Sequence, residues 1–250
     1  MPKKPNSFSK KDAQKNKRRN VQPIFGEKNW DPLGDEIDSR RDKSYVKRVK
    51  PRSEGQADLL ASIKKHNLTL AMGPAGTGKT YLSIVSAVES LESGEVERII
   101  LTRPAMEAGE SLGYLPGDLQ EKMAPYLRPL YDALGDRMGG KKVRQLIDDG
   151  TIEIAPVGFM RGRTLNNAFV VIDEAQNCTY AQIKMLLSRL GWNATMVVTG
   201  DPDQSDLLDG LSGLSDIIEK LKPINNIGTV SLGQADIVRH PLVAEMLEVL

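Results

Sequence analysis

Eight consecutive residues, Gly73-Pro-Ala-Gly-Thr-Gly-Lys-Thr80, constrain this chain more tightly than any other stretch. They complete the pattern G-x-x-x-x-G-K-[ST], whose glycines let successive backbone N–H groups turn inward around the α- and β-phosphates of a nucleotide. The pattern carries that meaning only between a strand and a helix, and both are legible here. Leu68–Met72 is a short apolar run, and Ile84, Ala87, Val88 and Leu91 recur at helical spacing, which predicts a helix over Lys79–Leu91. The positive N-terminal end of that helix points at the same anion. Lys79 is placed to reach the β- and γ-phosphates, and the Thr80 hydroxyl to ligate Mg²⁺. The candidate nucleotide-binding residues are Gly73, Pro74, Ala75, Gly76, Thr77, Gly78, Lys79, Thr80 and the adjoining Tyr81. A plain glycine-rich turn is the competing reading, and the flanking elements disfavour it.

The rest of the chain alternates in the same way. Residues 53–65 read as a helix, and Val96–Leu101, Thr151–Val157, Phe169–Ile172, Thr195–Val198 and Gly228–Leu232 as strands. Ile183, Leu186, Leu187 and Leu190 mark one face of a further helix. Residues 105–150 read as mostly helical, interrupted by Gly113, Pro116, Pro125 and Pro129, and the chain ends on a packed helix face bearing Val243, Met246, Leu247 and Leu250. Near-continuous apolar strands separated by helices predict an α/β fold, a mostly parallel sheet flanked by helices on both faces.

The acidic pair stands at a strand end. Phe169-Val-Val-Ile precedes Asp173-Glu174, and ligands of open parallel sheets bind outside the carboxyl ends of the strands. Asp173 is there to hold Mg²⁺ and Glu174 to orient or deprotonate the attacking water. Thr195-Met-Val-Val-Thr-Gly-Asp-Pro-Asp-Gln204 repeats the logic, with Asp201 near the metal shell and Gln204 facing a γ-phosphate; an ordinary Asp-Pro turn is the alternative. Arg103 follows another strand and is a candidate phosphate contact or a solvated cap.

Charge divides the chain. Residues 1–50 hold 15 Lys or Arg against 7 Asp or Glu, while the whole chain nets +1. The first residues are too poor in apolar groups to offset their ordering entropy, which predicts a basic, largely disordered extension over 1–50 ahead of one domain over 51–250. The extension is either a nonspecific phosphate-binding arm or a solubilising tail. Cys178 is the one cysteine, which excludes disulfides within the chain and fits a reducing, cytoplasmic setting. No run of apolar residues is long enough for a transmembrane helix. His66 and His240 stand alone, so no zinc site is expected. Tyr114, Tyr126 and Tyr131 are either core residues or stacking partners for bases.

The phosphate loop GPAGTGKT, the block 101–134 (LTRPAMEAGESLGYLPGDLQEKMAPYLRPLYDAL), MRGRTLNNAFVVIDEAQN at 160–177, TGDPDQ at 199–204 and VRHPLV at 238–243 together resemble PhoH-family ATPases. That resemblance runs from about Gln56 to the C-terminus. It implies a RecA-like P-loop NTPase fold similar to the first domain of superfamily 1 helicases, ATP with Mg²⁺, and RNA or single-stranded nucleic acid as partner. Gln56 then resembles an adenine-reading glutamine. Such helicases place ATP between two RecA-like domains, the second supplying an arginine, and this sequence reads as having no room for a second one. The expectation is a homo-oligomer, a hexameric ring by resemblance, with Arg161, Arg163 or Arg239 as the arginine donated in trans. The competing function is an ATP-dependent switch or scaffold for a protein partner, without motor action. A kinase or a nuclease is disfavoured, since neither a lid rich in arginine nor a further carboxylate cluster is visible.

Overall fold

The computed structural model describes residues 49–104, 119–208, 210–238 and 246, with side chains from residue 126 onward in its longest helix. The basic extension ahead of residue 49, the distinctive stretch 105–118, Asp209 and residues 239–245 and 247–250 lie outside the described residues. With them go Tyr114, Arg239, His240, Val243, Leu247 and Leu250.

Six strands form one parallel sheet: β1 (Leu68–Met72), β2 (Arg98–Arg103), β3 (Ile152–Pro156), β4 (Ala168–Ile172), β5 (Thr195–Gly200) and β6 (Ile227–Ser231), in the order β3-β2-β4-β5-β1-β6. Every pairing is parallel, with Leu68 opposite Met196 and Ile172 opposite Val198. One strand, β5, therefore separates the phosphate-loop strand from the acidic-pair strand.

Helices α1 (Glu54–Lys65), α2 (Lys79–Glu92), α3 (Leu119–Met138) and α4 (Gly140–Asp148) precede β3; α5 (Tyr180–Leu187) and α6 (Leu214–Leu221) follow β4 and β5. Ser53 opens α1 by accepting from the Gln56 N–H, and Thr179 with Gln182 forms a capping box on α5. Strand side chains alternate between faces. Leu68, Leu70, Ile100, Val170, Ile172, Met196 and Val198 pack with Ile183 and Leu186 of α5 and Leu214 and Ile217 of α6. The residues between them face the α1–α3 layer, where Leu59, Ile84, Val88, Leu130 and Leu134 are fully buried. Each such aliphatic side chain contributes about 1.5–3 kcal/mol on burial.

The sequence-predicted strands all form, β1 with the bounds expected and the others with ends shifted by one or two residues. Two readings need correction. Helix α3 runs through Pro125 and Pro129, which were expected to interrupt it. The buried face Leu127, Leu130, Tyr131 and Leu134 outweighs the lost backbone bonds. Helix α6 was not foreseen. Of the C-terminal face expected to pack, the described Met246 is 46 % exposed.

Candidate functional site

The chemistry collects at the carboxyl ends of β1, β4 and β5, where a cleft of about 860 Å³ is lined by Gln56, Lys79, Thr80, Asp173, Glu174 and Gln204 among others. Its floor is the phosphate loop. Gly73, Gly76 and Gly78 have φ of 138°, 84° and 86°, which side chains rarely adopt. A Cβ on Gly73 would collide with the Leu232 carbonyl oxygen. The Gly73 N–H donates to the Gly200 carbonyl at 3.2 Å, fastening the loop to the end of β5.

Lys79 is buried in the first turn of α2 and its ammonium donates to the carbonyls of Gly73 at 2.5 Å and Pro74 at 2.9 Å. Burial lowers its pKa, against the opposing pull of Asp201, Glu174 and Asp173. Thr77 is fully buried, and its hydroxyl donates to the Pro74 carbonyl. Ala75 and Gly76 form the exposed rim of the loop beside the half-buried Pro74, and Tyr81 stands half-buried on the same cleft wall.

Alternation along β4 and β5 puts Asp173 and Thr199 on the face where α2 begins. The Asp173 carboxylate, 2 % exposed, accepts from the Thr80 hydroxyl at 2.6 Å and the Thr199 hydroxyl at 2.7 Å on one oxygen. Its other oxygen lies 3.6 Å from the Arg103 guanidinium, which also lies 3.6 Å from Glu174. Arg103 is thus not a solvated cap; it spans the acidic pair from the last residue of β2.

Glu174 has left-handed backbone, φ 52°, so its side chain turns away from the strand line. The buried Gln176 amide donates to Glu174 Oε2 at 2.5 Å and accepts from the Asp201 N–H at 3.1 Å. The Ser205 hydroxyl donates to the Gln176 carbonyl, and Asn177 and Asp206 exchange two hydrogen bonds. The loops after β4 and β5 are thereby laced together, with Gln204 exposed on the cleft. Sequence reasoning missed Thr199, Gln176 and Asn177. Only their place just before or after the strand-end carboxylates could have pointed to them.

Gln56 is buried beneath the loop: its amide donates to the Thr77 carbonyl at 3.0 Å and accepts from the Arg52 N–H at 2.9 Å. Asp236 holds the same helix start by accepting from the N–H groups of Gly55 and Gly233. Away from the cleft, the 3-10 turn Val157–Met160 follows β3 at the far edge of the sheet. Just past it Arg161 is exposed; its backbone N–H donates to the Gly158 carbonyl, and its guanidinium has no hydrogen-bond or ion-pair partner among the described residues. Arg163 forms a bidentate pair with Glu153, both bonds 2.6 Å, which raises its pKa. The structure therefore assembles Lys79, Thr80, Arg103, Asp173, Glu174 and Gln204 in one place and leaves Arg161 and Arg163 outside it.

A parallel sheet with a phosphate loop on one strand end and an acidic pair two strands away defines a P-loop NTPase core of the RecA-like kind. Among solved structures, the large terminase from a thermophilic bacteriophage shares the fold at TM-score 0.50 and 13% identity, over 80% of this chain and 50% of that one. The chain belongs to the PhoH-like protein family, whose profile matches residues 48–250. It is 54% identical over 203 residues to a PhoH-like protein of Bacillus subtilis, covering 81% of this chain and 64% of the relative. It is 46% identical over 209 residues to Protein PhoH of Escherichia coli K12, covering 82% of this chain and 59% of that protein. This chain thus spans less than two thirds of the length of these relatives. The family resemblance carried by the sequence motifs is confirmed. No described helix is long and apolar enough to cross a membrane.

Proposed function

We propose that this chain binds ATP with Mg²⁺ and hydrolyses it, and that turnover is coupled to RNA or another single-stranded nucleic acid in a homo-oligomer. The observation that carries the hydrolase reading is the meeting of Thr80, Asp173 and Glu174 above the phosphate loop. The donor set suits a hard cation: a hydroxyl and a carboxylate oxygen 2.6 Å apart, with further ligand positions left to phosphates and water. Thr80 and Asp173 would hold Mg²⁺, which neutralises charge on the β- and γ-phosphates when bound. Backbone N–H groups of Gly76–Thr80 cradle the phosphates, and Lys79 exchanges loop carbonyls for phosphate oxygens. Glu174, fixed by Gln176 and Arg103, orients the attacking water and takes its proton. Gln204 faces the γ-phosphate from the loop beyond β5. The base lies toward Tyr81, Pro51 and Val238, which line the same cleft. Adenine selection by Gln56 rests on family resemblance, since both ends of its amide are engaged.

Of the three arginines expected to act in trans, Arg161 fits best. It is exposed and uncommitted, whereas Arg163 is held by Glu153. A neighbouring copy that donates Arg161 across a ring of six completes the site. The basic residues ahead of residue 51 form a separate extension that adds nonspecific phosphate contacts, in a reducing cytoplasmic setting.

Steady-state ATP hydrolysis with and without single-stranded RNA tests the reading, alongside Glu174→Gln and Arg161→Ala. Expected are RNA stimulation of the wild type and ATP binding without turnover in both variants. Full turnover in Glu174→Gln refutes the assignment of the base. Turnover indifferent to any polynucleotide moves the reading to an ATP-dependent switch for a protein partner. Unchanged turnover in Arg161→Ala removes the arginine in trans from that position.

A further inference from the structure

Trp192 is 84 % exposed, more than any other large apolar side chain among the described residues. The backbone beneath it is firmly held. Its N–H donates to the Asn166 side-chain oxygen at 2.9 Å, and its carbonyl accepts from the Asn167 N–H at 2.9 Å. The Asn193 amide donates to the Asn167 side chain at 3.2 Å, and the Asn67 amide to the Ala194 carbonyl at 3.0 Å. Asn167 and Asn193 have left-handed φ of 51° and 52°; among the described non-glycine residues only Glu174 shares that conformation. A Cβ on Gly191 would collide with the Asn166 side-chain oxygen and the Leu165 carbonyl carbon. Such backbone persists only where its surroundings over-determine it, and it gathers at functional sites. Here a strained, fastened loop displays an indole to solvent.

The neighbourhood defines the chemistry. Trp192 enters β5, and because the sheet is parallel, the segments entering β1 and β6 lie at the same end. Helix α1 ends there with Lys64 and Lys65, and Lys222 follows α6, all three exposed. None of these lysines pairs with a carboxylate among the described residues. Asn193, Asn225 and Asn226 are exposed in the same loops. Of the carboxylates toward this end, Glu92, Glu95, Glu97, Asp148 and Asp149 sit in the segments that lead into β2 and β3, in the other half of the sheet; Glu219 lies in the last turn of α6, and Asp58 of α1 lines one surface hollow with Lys65. Ile224 is the next exposed apolar side chain, ahead of β6 and two strands or about 10 Å away. Protein-binding anchors sit at desolvated apolar centres. One flat ring among amides and uncommitted ammonium groups suits a base and its phosphates instead.

We propose that Trp192 is a stacking platform for one base of a single-stranded polynucleotide, with Lys64, Lys65 and Lys222 along the path of its phosphates. The proposal rests on the nucleic-acid reading above and gives it a second contact, at the opposite end of the sheet from the phosphate loop. β5 spans about 20 Å between the two. Binding at Trp192 therefore does not require ATP.

The chain has two tryptophans, so Trp30→Phe leaves Trp192 as the sole indole. In that background, titration with an oligouridylate of about 12 nucleotides quenches the indole emission. Trp192→Ala weakens binding of the same fluorescein-labelled oligomer about 10-fold or more, Trp192→Phe retains most of the affinity, and ATP turnover without polynucleotide stays at the wild-type rate. Equal oligomer affinity in wild type and Trp192→Ala, with no quenching, overturns the platform and leaves the nucleic-acid reading standing. Failure of the wild type to bind or respond to any polynucleotide overturns both. A Trp192→Ala protein that changes its sedimentation rather than its oligomer affinity marks the indole as a contact between copies, which also overturns the platform.

Discussion

Replacing Gln176 separates a positioning role from a purely structural one. Its amide hydrogen-bonds both the Glu174 carboxylate and the backbone N–H of Asp201. Gln176→Leu deletes a bond to a carboxylate, worth about 1.5–3 kcal/mol, and strands a buried N–H at a cost of about 1–3 kcal/mol. The leucine regains part of this through apolar burial, leaving a net loss of about 3 kcal/mol. For a domain of this size that lowers Tm by about 6–12 °C. Gln176→Glu is the informative partner. Its carboxylate still accepts from Asp201 but repels Glu174. If Gln176 aims Glu174, both variants lose about 10- to 100-fold in kcat, because a displacement of about 1 Å of a catalytic group has that effect. ATP affinity, set by the phosphate loop, stays within about twofold. Single-turnover hydrolysis with nucleotide binding measured in parallel reads both quantities. Wild-type kcat in Gln176→Glu would refute the reasoning, and the lacing would then serve stability alone.

Gly200→Ala places a methyl 2.6 Å from Leu214 and 2.9 Å from the Gln176 oxygen, so it should cost about 1–3 kcal/mol of stability and lower kcat through the same amide, as unfolding and turnover assays will show. Arg163→Ala breaks a half-buried bidentate pair and should lower stability by about 1–2 kcal/mol with turnover per folded molecule unchanged; a loss of turnover would make it the trans arginine instead. Hydrogen bonds from Ser53 and then Gly233 hold the Asp236 pKa below its ordinary 3.8. Its stabilisation is present above that value and fades as pH falls through the folded-state pKa, so the deficit of Asp236→Asn in urea denaturation should be constant from neutrality to about pH 4 and shrink below it.

The phosphate loop and the acidic pair were legible because their meaning is local: eight residues specify a backbone cradle, and an apolar run that stops at Asp173 marks a strand end. Strand existence was legible for the same reason, since these segments, the edge strand β6 apart, are buried along most of their length. Strand order was not. Nothing in the apolar pattern says that β5 enters between β1 and β4, and so nothing assigned Thr199 to Asp173. The prolines of α3 misled because their local cost is visible in sequence while the tertiary burial of Leu130 and Leu134 that outweighs it is not. Arg163 and Arg161 look alike in a string and differ only once Glu153 is placed beside one of them. The tyrosines were read as core residues or stackers, and Tyr131, 1 % exposed, is core, while the exposed indole of Trp192 carried no signal of its own.

Strand β5 runs from the Trp192 loop to Asp201 with only the six residues Thr195–Gly200 between, paired on both sides and buried along most of its length. Such a strand behaves as a rod. It does not stretch or bend between its ends, since either change breaks ladder bonds to β4 and β1 together. An influence at one end reaches the other only if the whole strand tilts or slides against its neighbours, a movement with few discrete stopping points. Traffic between the two ends of this sheet would therefore be stepwise, more like a latch than a dial.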